Sequence, residues 1–137
     1  VLPGSGSPRT TYGAVGGAGG GLIRIEASGT VTVDGNLTAN GGHYAWGHGS
    51  GGSGGAIYIR CRTIAGSATL SAIGGNYDQS GNGGGGGRIA VWFKRDVFAG
   101  TTSVAAGAAA PSRTYDPQPG TVYWYLIPPE GSLFVLR

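Results

Sequence analysis

Residues 81–93 read GNGGGGGRIAVWF, five consecutive glycines (Gly83–Gly87) running directly into an alternating apolar stretch. A glycine run in that position fits a phosphate-cradling loop, a flexible linker or an architectural element. Recurrence decides among them. The same junction appears as GGGLIRIE at 19–26 and SGGAIYIRC at 53–61, and QPGTVYWYLI at 118–127 begins a fourth. The equivalent positions Ile23, Ile57, Ile89 and Val122 are spaced by 34, 32 and 33 residues. A second set, Leu37, Leu70 and Val104, keeps spacings of 33 and 34. Two markers holding one interval define an internal repeat of about 33 residues.

Helical ankyrin and tetratricopeptide repeats share that period, but the pattern inside each repeat here alternates with period two. Ile23, Ile25 and Ala27 share one face, as do Ile57, Ile59 and Cys61, and Ile89, Val91 and Phe93. Such alternation predicts half-buried strands. A second strand passes through Leu37/Ala39, Leu70/Ala72 and Val104/Ala106, and Val31/Val33, Ile64 and Val97 suggest a further short side. No repeat can bury its apolar face alone. The prediction is an all-β fold, a right-handed parallel β-helix (β-solenoid) of about 3–4 coils, each coil stacking on the last. A propeller blade needs more alternating segments than one repeat supplies. The glycines at 19–21, 54–55 and 86–87 are then predicted to be corners where stacked backbones turn.

This reading divides the chain into an extension or preceding coil at 1–13, a single solenoid domain at 14–127 and a tail at 128–137 that offers an edge or exchanged strand. The coils lie near 19–52, 53–84, 85–117 and 118–127.

Composition agrees with strands. The chain has 31 glycines in 137 residues and a hydrophobic fraction of 39%, too high for a disordered tract. Only 11% of residues are charged, against ~25% in ordinary domains, so exposed helix faces are not expected. The net charge of +3 is carried by scattered arginines and the single Lys94; no basic run marks a nucleic-acid site. No apolar stretch approaches the ~18 residues of a membrane span, and VLPGSGSPRTTYG at 1–13 lacks the charged and apolar regions of a signal peptide. The lone Cys61 alternates in phase with Ile57 and Ile59, which predicts a buried thiol.

Chemistry is sparse. Each glycine run opens a strand, whereas a dinucleotide or phosphate fingerprint must open a helix. The carboxylates Glu26, Asp34, Asp78, Asp96, Asp116 and Glu130 build no acidic ladder across repeats, so neither a glycosidic acid–base pair nor a calcium roll is expected. Asp96 with Lys94 and Arg95 reads as a solvated turn. HYAWGHG at 43–49 holds both histidines, His43 and His48, a weak metal signal without a third ligand. We expect no enzyme activity, no metal and no cofactor.

Outward positions carry the sharper expectation. Alternation places Arg24, Tyr58, Ala90 and Tyr123 in one exposed column and Glu26, Arg60, Trp92 and Tyr125 in the next. Glu26 is expected to pair with Arg60, Arg60 to lie over Trp92, and Trp92 to stack with Tyr125. Together with Trp46, the residues Tyr58, Trp92, Tyr123 and Tyr125 form the candidate contact surface for a glycan or a partner. Asn36-Leu37-Thr38 is a glycosylation sequon.

At GGSGGAIYIRC, GGGGGRIAVWF and QPGTVYWY, the sequence resembles glycine-rich β-solenoid repeats of large secreted or surface proteins of bacteria, over about residues 13–127. The resemblance implies an extracellular or cell-surface structural role and imports no catalytic residue. The expected function is a secreted subunit that stacks with copies of itself, head to tail, into a filament, sheath or appendage. Alternatives are a carbohydrate-binding or adhesin module, or a non-catalytic piece of a β-helix polysaccharide-degrading enzyme. The expected partners are other copies of the chain and glycans, with no nucleic acid and no membrane span.

Overall fold

The structure is a computed structural model, and it describes residues 2–8, 13, 15–43, 49–77, 81–111, 116–129 and 131. Three strands form the first coil: β1 (Leu22–Glu26), β2 (Thr30–Thr32) and β3 (Leu37–Thr38). The second contributes β4 (Ala56–Arg60), β5 (Thr63–Gly66) and β6 (Thr69–Ser71). The third contributes β7 (Arg88–Phe93), β8 (Arg95–Phe98) and β9 (Thr101–Ser103), and β10 (Thr121–Leu126) opens a fourth. Equivalent strands stack into parallel sheets in the orders β1-β4-β7-β10, β2-β5-β8 and β3-β6-β9. The fold is thus a parallel β-solenoid, and the first marker set is in register throughout: Ile23 pairs with Ile57, Ile57 with Ile89 and Val122 with Ile89.

The interior fills from all three sheets. Ile57, Ile59, Ile64, Leu70, Ile89 and Val91 are buried to 1% exposure or less, and Cys61 sits among them at 4%. At the corner between the first two sheets, the Gly29 carbonyl accepts from the amides of both Arg62 and Thr63. The Arg62 carbonyl likewise accepts from Lys94 and Arg95 one coil further on. At the next corner Gly66 takes a positive φ of 105°, and a side chain there would strike the Val33 backbone.

The glycine runs are not corners. They form a second hydrogen-bonded layer beside the solenoid core. In residues 51–55, successive amides donate in three directions. Gly51 and Gly54 donate to Asn82 and Gly85 of the next coil (2.9 Å each); Gly52 and Gly55 donate back to Gly42 and Ala39 of their own coil (3.0 and 2.7 Å). Ser53 donates to Ser5 (3.0 Å). Direction therefore repeats every third residue, as in an extended three-residue-per-turn helix whose backbone bonds only to neighbours. The pattern recurs in the next coil, where Gly84 and Gly87 donate to Gly75 and Ala72.

Such backbones approach too closely for side chains. A Cβ at Gly17, Gly20, Gly41, Gly52, Gly55, Gly74, Gly75, Gly84 or Gly87 would land on a neighbouring carbonyl. None of these nine has positive φ, a conformation found among the described glycines only at Gly13, Gly66 and Gly131. Glycine is required here for close approach rather than for turning. Residues 4–7 join the same layer, with Gly4 and Ser7 donating to Gly20 and Gly17 (2.8 and 2.9 Å).

Two registers differ from expectation. Leu37 pairs with Leu70, but Leu70 pairs with Thr102, not with Val104. Val104 instead takes the place of Ala39 and Ala72, since its carbonyl accepts from Gly120 as theirs accept from Gly55 and Gly87. A slip of two residues keeps every side chain on its face, so alternation alone cannot detect it. In the second sheet, Ile64 pairs with Asp96, and Val97 points outward at 50% exposure. Asp96 therefore lies in a strand rather than a solvated turn. Its Oδ1 accepts from the Phe98 amide (2.9 Å) and its Oδ2 from Trp124 Nε1 (2.6 Å).

Candidate functional site

The outer face of the four-stranded sheet carries the candidate residues, and strand pairing aligns both columns as expected. Arg24, Tyr58, Ala90 and Tyr123 are successive partners, as are Glu26, Arg60, Trp92 and Tyr125. The aromatic end of the face is continuous. Trp92 lies with its ring centroid 4.5 Å from that of Tyr125 and 5.5 Å from that of Tyr123, both tilted. Tyr123 and Tyr125 stack within 9° of parallel at 5.7 Å. Contacts of this kind contribute ~0.5–1.5 kcal/mol each beyond the area they bury.

The charged end differs from expectation. Glu26 pairs with Arg24 on its own strand (2.9 Å) rather than with Arg60. Residues two apart on a strand lie on one face, and this pair closes along the strand. The Arg24 guanidinium in turn sits 5.5 Å from the Tyr58 ring centroid, so the cation–π contact forms one column over from the predicted Arg60–Trp92 pair. Arg60 is left exposed, and its strand partner Glu26 turns to Arg24 instead.

Trp46 and its neighbours Tyr44 and His48 lie outside the described residues, as does the tail segment 132–137. His43 is described and has a backbone role: its Nδ1 accepts from the Asn76 amide of the next coil (2.9 Å). Asn76 Oδ1 repeats this one coil later toward Ala108, and Asn40 Oδ1 accepts from Ser71 Oγ and the Ile73 amide. These side chains bridge coils where the backbone ladder is interrupted. Asn36 is exposed immediately before β3, with its sequon partner Thr38 also exposed.

Two surface grooves meet at the edge of this face. One, of about 320 Å³, is lined by Tyr58, Arg60, Trp92, Tyr125, Ile127 and Pro128. The other, of about 430 Å³, lies at the first corner between Arg60, Arg62, Lys94 and Ile127, over Cys61. Burial raises the Cys61 thiol above its ordinary value of 9.0, partly opposed by a hydrogen bond with the Val31 backbone. Sequence reasoning placed Arg60 on the outer face and Lys94 in a solvated turn, but did not bring Arg62 and Lys94 together at one corner. Their signal was present in the 32-residue interval between Arg62 and Lys94, which places them at one corner of successive coils.

Among the described residues, no three His, Cys, Asp or Glu side chains cluster closely enough to hold a metal ion, and no helix is long and apolar enough to cross a membrane. No protein-family model matches the chain, and neither the curated proteins nor the solved structures give a significant match. What the fold and this face define is a parallel β-solenoid with an aromatic strip on one sheet.

Proposed function

We propose that the chain is an extracellular structural unit whose coils continue end on end into those of another copy. The observation that carries this is the contrast between the middle of the interior and its ends. Ile57, Ile89 and Phe93 are buried to 6% or less, whereas Val122 and Leu126, which pair with Ile89 and Phe93 and occupy the same inward columns on β10, are 43% and 58% exposed. At the opposite end Ile23 and Ile25 of β1 are only half-buried. Each end thus presents an apolar interior surface and a strand with one unpaired edge among the described residues, a template for a further parallel strand.

A second copy placed head to tail would set β1 against β10 in the established register and cover Val122 and Leu126. Burying an aliphatic side chain of this size contributes roughly 1.5–3 kcal/mol. The contact joins unlike surfaces, so it propagates rather than closing on itself. The resemblance of the repeats to those of secreted and surface proteins supports the extracellular setting.

Sedimentation over a range of concentrations tests the reading. Open-ended association that is abolished by Leu126→Lys is expected. A single monomeric species at high concentration overturns it.

A further inference from the structure

We infer that the flank of the glycine layer between residues 83–86 and Gln118 binds an extended glycine-rich segment of another protein chain, seated as residues 4–7 are seated two coils earlier. The site does not depend on end-on stacking, because it lies on the side of the solenoid rather than at its end.

Residues 4–7 define what such a place requires. The amides of Gly4 and Ser7 donate to the Gly20 and Gly17 carbonyls of the first coil (2.8 and 2.9 Å), and the Ser5 carbonyl accepts from the Ser53 amide of the second (3.0 Å). Gly19 faces the seated segment, since a Cβ there would land on the Gly4 carbonyl. Bonding along the layer fixes the equivalent residues: the amides of Gly20, Gly54 and Gly86 donate to the carbonyls of Ser53, Gly85 and Gln118 (2.8, 2.9 and 2.9 Å). Two coils on, the three bonding groups are therefore the Gly83 and Gly86 carbonyls and the Gln118 amide. None of them has a backbone hydrogen bond among the described residues. Gly17 and Gly20 are buried beneath residues 4–7, whereas Gly83 and Gly86 are only half-buried.

Side chains select this place over the one between. A single coil on, the equivalent of Gly19 is Ser53, which lines an open groove of about 290 Å³ between residues 3–5 and 86–88. Its Cβ stands where the carbonyl of a seated segment would lie. Two coils on, the equivalent is Gly85, and a Cβ there would meet only the Gln118 carbonyl at 3.5 Å. No described neighbour requires glycine at that position, but a seated backbone would. The groove makes the surface continuous with the one that residues 4–7 already cover. Pro117 and Pro119 hold Gln118 in an extended, three-residue-per-turn conformation and leave its amide as the only donor of that stretch. The same geometry sets the occupant. Donating amides three residues apart turn every third residue toward the layer, and a Cβ on Gly4 would land on the Ser53 and Gly54 carbonyls. The partner is thus an extended chain with glycine or serine at every third residue, held by its backbone as in strand addition to a sheet edge. Its other side chains are free to be large, as Leu2 is at 79% exposure.

Amide hydrogen exchange of the whole chain, followed by NMR with the peptide LPGSGSP (residues 2–8) as the probe, tests this. Saturable slowing at the Gln118 amide by about two- to tenfold is expected, the protection that one added hydrogen bond gives. The Ser53 amide, already bonded to Ser5, and the Gly85 amide, beside the Ser53 side chain, should not change. Gly85→Ala should abolish the slowing and leave the urea midpoint unaltered, because its Cβ enters open space. A peptide carrying Gly4→Ala should not bind, and this arm carries the test if Gly85→Ala does not fold. No slowing at Gln118, slowing at Ser53 or Gly85 instead, or undiminished slowing with Gly85→Ala or the alanine peptide overturns the inference. So does a Gln118 amide protected in the chain alone and increasingly so with concentration, which would give the place to a second copy.

Discussion

Gly52→Ala, compared with Gly21→Ala, measures what the glycine layer contributes. Gly52 is buried, its amide donates to Gly42 (3.0 Å) and its carbonyl accepts from Gly75 (2.8 Å). An added Cβ would lie on the Ala18 carbonyl and 2.7 Å from the Gly17 oxygen, where ordinary contact begins at 3.4 Å. Adjacent segments must therefore separate by more than half an ångström. That movement is overpacking, which costs roughly 1–3 kcal/mol. It also stretches two backbone hydrogen bonds, each contributing about 0.5–1.5 kcal/mol. The expected loss is thus on the order of 2–6 kcal/mol, a large share of a domain's total stability. Gly21 has no heavy atom within 4 Å of an added Cβ and no positive φ, so Gly21→Ala should be neutral or stabilise by about 0.4–1 kcal/mol through the unfolded state. Urea unfolding followed by tryptophan fluorescence gives both values. Equal stabilities for the two variants would refute the claim that these glycines exist for backbone approach.

Three further outcomes follow from the core and its lower end. Ile59→Ala removes a side chain with 0% exposure and should cost about 2–5 kcal/mol by urea unfolding. Asp96→Ala strips the acceptor from Trp124 Nε1 and the Phe98 amide; a loss of roughly 1–3 kcal/mol with a changed tryptophan emission is expected. Cys61, at 4% exposure and with its thiol raised by burial, should react with iodoacetamide far more slowly in the folded chain than in urea. Because the folded state holds that proton more tightly, the associated stability is complete below the unfolded value of 9.0 and declines as pH rises through the raised folded value. Urea midpoints that fall above pH 9.0 in the wild type but not in Cys61→Ala would check the sign.

The strands and their stacking were legible because burial on one face forces period-two alternation, and repetition made the first register unambiguous. Ile23, Ile57, Ile89 and Val122 align as the intervals require. Near the lower end that signal fades for a physical reason. Thr102 and Asp96 replace the core residues Leu70 and Ile64 where no described coil covers them, so hydrophobicity no longer marks the column and Val104 and Val97 mislead. The glycine layer was illegible as such. Its order comes from backbone bonds with a three-residue repeat, and glycine has no side chain to alternate. On the outer face, alternation fixed which side chains are neighbours but not which ones pair. Arg24 reaches both Glu26 and Tyr58, and that choice depends on side-chain geometry. The corner at Arg62 and Lys94 was hidden because it falls between strands, outside any alternating pattern.

Electron microscopy of the purified chain at increasing concentration tests the proposed end-on assembly most directly. Four rows of the first sheet at a strand spacing of ~4.8 Å give an axial step of roughly 15–20 Å per subunit. Unbranched filaments with that step, lengthening with concentration and absent in Leu126→Lys, are the predicted result. Isolated particles of one size at every concentration would contradict it.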